Sequence, residues 1–188
     1  MLKPRPPSIR FGTAVTQFLM VHPGPLDGIV APVPEEGFSV RLASADDTSE
    51  LAQVLTESYG ELWDTARVSA ELMDAPDVVA TWVASDSDRI VAVASERLLP
   101  EQYPDAGYIH WVGVRPQSRG HRLGALVTAQ CMIGFAKRGL STIVLETDDF
   151  RIPAVITYLR LGFVPSYRSV NEQKAWSALF PRLLGGQS

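Results

Sequence analysis

The densest chemistry in the chain lies in residues 112 to 127, VGVRPQSRGHRLGALV. An apolar strand-like run enters a basic, glycine-bearing turn and leaves as an amphipathic helix, with Leu123, Leu126, Val127 and Cys131 at helical spacing. Such a turn aims several backbone N–H groups and the positive end of a helix dipole at one spot, an arrangement suited to a pyrophosphate. Arg119 and Arg122 add charge to the cradle, and Gly120 and Gly124 let the backbone approach closely. The same pattern also suits an ordinary strand–helix connection with solvated arginines. Neither the GxGxxG fingerprint nor the GxxxxGK[ST] loop is present.

The elements that must position this turn can be read outward from it. Tyr108 to Val114 reads as a strand in which Tyr108, His110, Val112 and Val114 share one face. Lys137, Arg138 and Gly139 end the helix after the turn, with cations in the last turn and a glycine for the left-handed cap. Ser141 to Glu146 supplies a further strand, Pro153 to Leu161 a helix, and Gly162-Phe163 begins the final strands. Upstream, Phe38 to Leu42 is a short strand, and Asp47 with Glu50 resembles a capping box before Leu51, Val54 and Leu55. A weaker helix covers about Thr65 to Met73. Val78 to Ala84 and Arg89 to Leu99 are two strands joined by the polar turn Ser85-Asp86-Ser87-Asp88. The strand and helix order predicts an α/β domain, with a mixed sheet carrying helices on its faces, over residues 38–188. Residues 1–37 are proline-rich and read as an extension, whose middle, Ile9 to Val21, suits a strand added to a sheet edge.

Bulk properties narrow the function. With 188 residues, 46% of them hydrophobic, the chain can form one sizeable core. A formal charge of −4 argues against a nucleic-acid partner. The single cysteine, Cys131, makes no internal disulfide, in keeping with a reducing cytoplasm. The three histidines, His22, His110 and His121, lack metal-ligand spacing, so no metal is expected. Phe11 to Val21 follows Lys3, Arg5 and Arg10 but is interrupted by Thr13, Thr16 and Gln17, and is read neither as a signal peptide nor as a membrane span.

Two motifs in order carry a family resemblance. The [QR]xxGxG pyrophosphate loop of the GNAT superfamily of acyl-CoA-dependent N-acyltransferases falls on Arg119-Gly120-His121-Arg122-Leu123-Gly124, with Arg122 in the place of the first motif glycine. Downstream, Tyr158-Leu159-Arg160-Leu161-Gly162-Phe163 resembles the family's YxxxGF. The resemblance spans residues 38 to 180. It implies a GNAT-like fold, with a mixed, mostly antiparallel sheet splayed at the cofactor site and flanked by helices. The expected activity is transfer of an acetyl group from acetyl-CoA to a primary amine of a small metabolite, by direct attack in a ternary complex. A homodimer is left open. Val112 and Val114 would pair with the pantetheine arm, and Arg119, Gly120, His121, Arg122, Leu123, Gly124 and Ala125 would hold the pyrophosphate. Tyr158 would protonate the departing thiolate, its alternative role being a core aromatic.

An attacking amine must lose a proton. His110 is the leading acceptor on position and titration range, against the alternative of a buried structural histidine, and Glu96, near the end of the preceding strand, is the second candidate. Asp148 and Asp149 could draw in a cationic substrate or cap a helix, and Arg151 could reach a phosphate of coenzyme A or be solvated. Trp63, Trp82, Trp111 and Trp176 read as core or pocket wall. The rival to an enzyme is a non-catalytic acyl-CoA-binding or regulatory domain of the same fold. A structural protein assembled through its proline-rich arm is a third reading.

Overall fold

The structure is a computed structural model that describes residues 9–10, 13–14, 16–87 and 89–184. Asp88, in the turn expected between two strands, lies outside the described residues. Strands β1 (Ile9–Arg10) and β2 (Thr13–Ala14) form a small antiparallel pair. The remaining strands are β3 (Gln17–His22), β4 (Ser39–Leu42), β5 (Val78–Ser85), β6 (Ile90–Leu98), β7 (Ala106–Val114), β8 (Thr142–Asp148) and β9 (Val164–Ser166). They make one sheet in the order β4-β5-β6-β7-β8-β3-β9. The helices are α1 (Thr48–Tyr59), α2 (Thr65–Val68), α3 (Leu123–Lys137), α4 (Ile152–Arg160) and α5 (Val170–Leu184). The result is the mixed α/β architecture expected from the sequence. Among the described residues no helix is long and apolar enough to cross a membrane. The chain divides into two compact units, residues 23–144 and residues 1–22 with 145–188, the boundary falling inside β8.

In the first unit, β4 to β7 form antiparallel pairs. Strand β6 is buried along almost its whole length, as its run Ile90, Val91, Ala92, Val93, Ala94 requires of a central strand. Helix α1 packs against β6 and β7, with Leu51, Val54 and Leu55 fully buried beside Val93 and Trp111. Each such side chain contributes about 1.5–3 kcal/mol on leaving water. Helix α3 packs against β5, β6 and β7, placing Phe135 beside Gly107 so closely that a Cβ there would overlap the ring.

The start of α1 differs from the expected Asp47–Glu50 box. Asp47 is instead the third residue of a box begun by Ser44, whose N–H donates to Asp47 Oδ2 at 2.7 Å. Arg41 donates to both carboxylate oxygens at 2.7 and 2.8 Å. Those bonds are the largest reason the Asp47 carboxyl falls from 3.8 to about 2. Glu50 turns away, accepting from the Ile90 N–H and from Arg115.

In the second unit, β3 pairs antiparallel with β9, Leu19 opposite Ser166 and Val21 opposite Val164. The expected added strand therefore stands between β8 and β9 and not at the sheet margin, and Phe18 and Met20 are fully buried. The final strands expected after Gly162 reduce to β9, and residues 170–184 are helical. Trp176, Leu179 and Leu183 recur at helical spacing and are buried, with the Trp176 ring 4.4 Å from that of Phe18. Pro181 inside this helix obscured the pattern in sequence.

Candidate active site

Arg115 fixes the entry to the basic turn. It is 3% exposed, its N–H donates to Val91 O at 2.8 Å and its Nε to Ile90 O at 2.7 Å, and its guanidinium reaches Glu57, Glu50 and Gln53 on α1. One 3-10 turn, Pro116–Ser118, follows, then Gly120 at φ 96° and Arg122 at φ 53°, ψ 20°. Arg122 thus holds the left-handed conformation that a glycine at its motif position adopts freely, at a cost of about 1–2 kcal/mol for a side-chain-bearing residue. Its carbonyl accepts the Leu126 N–H at 3.0 Å and so starts α3. No side chain caps this helix start, which leaves first-turn N–H groups for an incoming anion. A Cβ at Gly120 would meet nothing within 4 Å, and one at Gly124 would meet only Val114 Cγ2 at 3.5 Å. The turn is open backbone with exposed Arg119, His121 and Arg122 around it, while Leu123 is buried and Ala125 half-buried. Open backbone flanked by cations is the chemistry that takes up an anion.

A carboxylate already stands beside this turn. Glu35 Oε2 lies 2.7 Å from His121 Nδ1, and Glu35 Oε1 lies 3.9 Å from Arg122 Nε, while the Phe38 ring packs on His121. Nothing in the sequence tied Glu35 to this place, because the pair spans the whole core in chain order.

Strand β7 bends where its chemistry lies. Val93 pairs with Gly113 and Ser95 with His110, so Trp111 and Val112 together oppose Ala94 in a bulge, and Trp111 takes φ 52°. The bulge breaks the strict alternation read from the sequence. Tyr108 and His110 face α1 along with Arg97 and Val93, but Val114 lies on the α3 side, beside Gly124. Trp111 is held in this conformation by edge contacts with Trp63, at 4.5 Å between ring centroids, and with Tyr59 at 5.3 Å. The Tyr59 hydroxyl donates to Val112 O at 2.9 Å.

On the α1 side, Arg97 is 5% exposed. Its Nε donates to Asp77 Oδ2 at 2.6 Å and its Nη1 to His110 Nδ1 at 2.8 Å. A guanidinium only donates, so Nδ1 must be the unprotonated nitrogen, and the proton of the neutral ring sits on Nε2. The basic lone pair of the neutral ring is thus directed at a buried guanidinium. Neither Asp77 nor Arg97 was singled out from the sequence. The available signal was a lone arginine in an apolar strand, two hairpin positions from a histidine.

Glu96 lies on the opposite side of the same strand. Although it lies near the end of its strand, Glu96 is 1% exposed. Its Oε1 accepts the Trp82 Nε1–H at 2.7 Å and its Oε2 is 3.5 Å from Arg138 Nε, an ion-pair distance without hydrogen-bond alignment. Burial pushes its pKa up, against the pull of Trp82 and Arg138. Helix α3 closes over it so tightly that a Cβ at Gly134 would overlap its carboxylate. Cys131, fully buried, is pushed up as well, by burial and then by Glu96, which agrees with an inert thiol.

In the second unit, Tyr158 is 5% exposed and packs edge-on against Phe163, and its carbonyl accepts N–H groups from Leu161 and Phe163 that turn the chain into β9. Asp148 is buried and accepts from Arg151 Nε at 3.0 Å, while Asp149 Oδ2 takes the Thr16 N–H at 3.4 Å. Asp148 and Arg151 are therefore engaged at the start of α4, and Asp149 ties that loop to Thr16.

The Acetyltransferase (GNAT) family model matches residues 48–163. A mycothiol acetyltransferase of Rhodococcus opacus is 27% identical over 82% of this chain and 55% of its own length. Another, of Kytococcus sedentarius, is 30% identical over 68% of this chain and 46% of its own. The chain thus spans about half the length of these relatives. Among solved structures, a GCN5-related N-acetyltransferase from Sphaerobacter thermophilus superposes with a TM-score of 0.63 at 22% identity, over 80% of this chain and 48% of that one. The ribosomal-protein-S18-alanine N-acetyltransferase of Escherichia coli does so with 0.59 at 15% identity, over 69% and 79%. At these identities the two structures speak for the fold.

Proposed function

We propose, from the premise that the chain belongs to the GNAT acetyltransferase family, that it moves an acetyl group from acetyl-CoA to the primary amine of a small cytoplasmic metabolite. The observation that carries this reading is the turn before α3, where Gly120 and Arg122 both take positive φ and the helix start has no side-chain cap. Residues 119 to 125 hold the pyrophosphate with backbone N–H groups and the Arg119 and Arg122 charges, and backbone groups at Val112 and Val114 orient the pantetheine arm. Acetyl-CoA, when bound, supplies the activated thioester. The amine attacks the thioester carbonyl directly, with no acyl-enzyme, which accords with a fully buried Cys131. Tyr158 gives a proton to the departing thiolate.

The test is coenzyme A release from acetyl-CoA over a panel of primary amines, in which the acceptor used by mycothiol acetyltransferases belongs beside amino sugars and amino acids. Release that depends on one amine class, with the acetylated product seen by mass spectrometry, is the expected result. Acetyl-CoA binding with no release on any amine would instead make the chain a non-catalytic acyl-CoA-binding domain.

A further inference from the structure

The segment before β4 brings a carboxylate to the turn that leads into α3. Pro34 fixes the backbone ahead of Glu35, and behind it the Phe38 N–H donates to Glu35 O at 3.0 Å, closing a turn whose third residue, Gly37, takes φ 88°. A stiff stretch of chain thus aims the Glu35 side chain. Its Oε2 lies 2.7 Å from His121 Nδ1 and its Oε1 3.9 Å from Arg122 Nε. An ionised carboxylate only accepts, so the proton of the first contact sits on His121 Nδ1, and that donor is turned to Glu35. Phe38 packs on the His121 ring at 4.9 Å between centroids. Two polar side chains of the basic turn therefore share one acidic partner from 86 residues earlier in the chain. All three stay in water, with the His121, Arg122 and Glu35 side chains 45%, 69% and 40% exposed, so these contacts are weak enough to exchange.

Resting on the acetyl-CoA reading above, we infer that Glu35 is a built-in competitor for the diphosphate of acetyl-CoA and sets the affinity of the turn. It takes up the His121 donor and part of the Arg122 charge, so an anion on residues 119 to 125 must draw these groups away from it or bind beside its negative charge. Either course weakens binding. The first-turn amides of α3, which no side chain caps, lie outside this competition, so the turn still takes an anion but holds it less tightly. Because the chain keeps Glu35 within reach, its carboxylate returns whenever the ligand leaves. Acetyl-CoA and coenzyme A carry the same diphosphate, so Glu35 restrains both, and the product leaves more readily by the factor that the co-substrate loses in affinity.

Titration followed through the backbone amide signals of residues 119 to 125 tests this. Glu35→Gln keeps the size of the side chain and removes its charge. It should bind acetyl-CoA and coenzyme A about three- to tenfold more tightly than the parent, the scale of one exposed charge at these distances. The gain should shrink as salt rises toward about 1 M, where screening acts within about 3 Å. Glu36→Gln removes the same charge one residue on, outside these contacts, and should bind like the parent. Arg122→Gln should weaken binding less in the parent than in the Glu35→Gln background, because Glu35 already holds part of that charge. Equal or weaker binding by Glu35→Gln overturns the inference, and so does an equal gain in Glu36→Gln, which would reduce the effect to net charge. Inorganic pyrophosphate, titrated in parallel, keeps this failure apart from failure of the acetyl-CoA reading. Acetyl-CoA that binds the parent and Glu35→Gln alike refutes the role of Glu35 and leaves that reading standing. A Glu35→Gln gain for pyrophosphate, with acetyl-CoA bound by neither protein, keeps Glu35 as a competitor for an anion and removes acetyl-CoA as the ligand. No response to either ligand refutes both.

Discussion

Toward α3, the β6–β7 pair encloses a carboxylate, Glu96, under a helix that has a glycine where any side chain would collide with it. Toward α1, the same pair encloses a guanidinium, Arg97, whose far side is a half-buried histidine. Both charges sit one residue apart in the chain, and both are removed from water. The first is closed on every side by Trp82, Arg138 and α3, so its chemistry goes into packing. The second ends on a half-buried ring whose Nδ1 it holds. What separates the two ions is whether the last hydrogen-bonded partner is sealed in, not residue type or position along the strand.

Gly134→Ala tests the closed side most severely. Its methyl group must displace the Glu96 carboxylate from a site without spare volume, and a loss of about 3 kcal/mol is expected, at the upper end of overpacking costs. Chemical denaturation should also show that Gly134→Ala and Glu96→Ala together cost less than their sum, because the second substitution removes the atom the first one strikes. Additive losses would mean the glycine matters for another reason. On the α1 side the next largest effect is at Asp47, whose carboxylate takes the Ser44 N–H and the Arg41 guanidinium in the turn before α1. Losing these charge-assisted hydrogen bonds, Asp47→Ala should cost about 1–2 kcal/mol. Its folded pKa of about 2 lies below the ordinary 3.8, so the parent holds this contribution fully above about pH 4 and loses it as pH falls toward 2. The variant and the parent should therefore converge in acid, as read by urea unfolding at several pH values.

Much of the fold was legible because the hydrophobic periods are clean. Leu51, Val54 and Leu55, the β6 run, and Leu123 to Cys131 each announce their element. The helix at 170–184 was hidden by Pro181, and the place of β3 in the sheet could not be read at all, since strand order depends on long-range pairing that one chain segment does not encode. At the site, the basic turn was legible down to its odd residue, Arg122. The partners that decide His110 and His121 were not. Arg97 reaches His110 across 13 residues, Asp77 reaches Arg97 across 20, and Glu35 reaches His121 across 86, and the bulge at Trp111, which changes the side that Val114 faces, leaves no composition signal.

A smaller effect is expected at that odd residue. Arg122→Gly frees a left-handed backbone position but also loosens the unfolded chain, so the net gain should be about 0.5–1 kcal/mol of stability. It should come with weaker acetyl-CoA binding as one charge leaves the turn, and tighter binding would show that the Arg122 side chain obstructs the phosphates.

The central claim, that acetyl-CoA seats its phosphates on the turn before α3, is most directly tested by thermal shift with Gly124→Val. A Cβ at Gly124 makes only ordinary contact with Val114, so the ligand-free variant should melt close to the parent. At about a hundredfold excess over its dissociation constant, acetyl-CoA should add about 2.7 kcal/mol to the parent. The valine side chain would stand in the ligand's approach, and most of that gain should vanish in the variant. A Gly124→Val protein that folds like the parent and shows the full acetyl-CoA shift would contradict the placement of the cofactor.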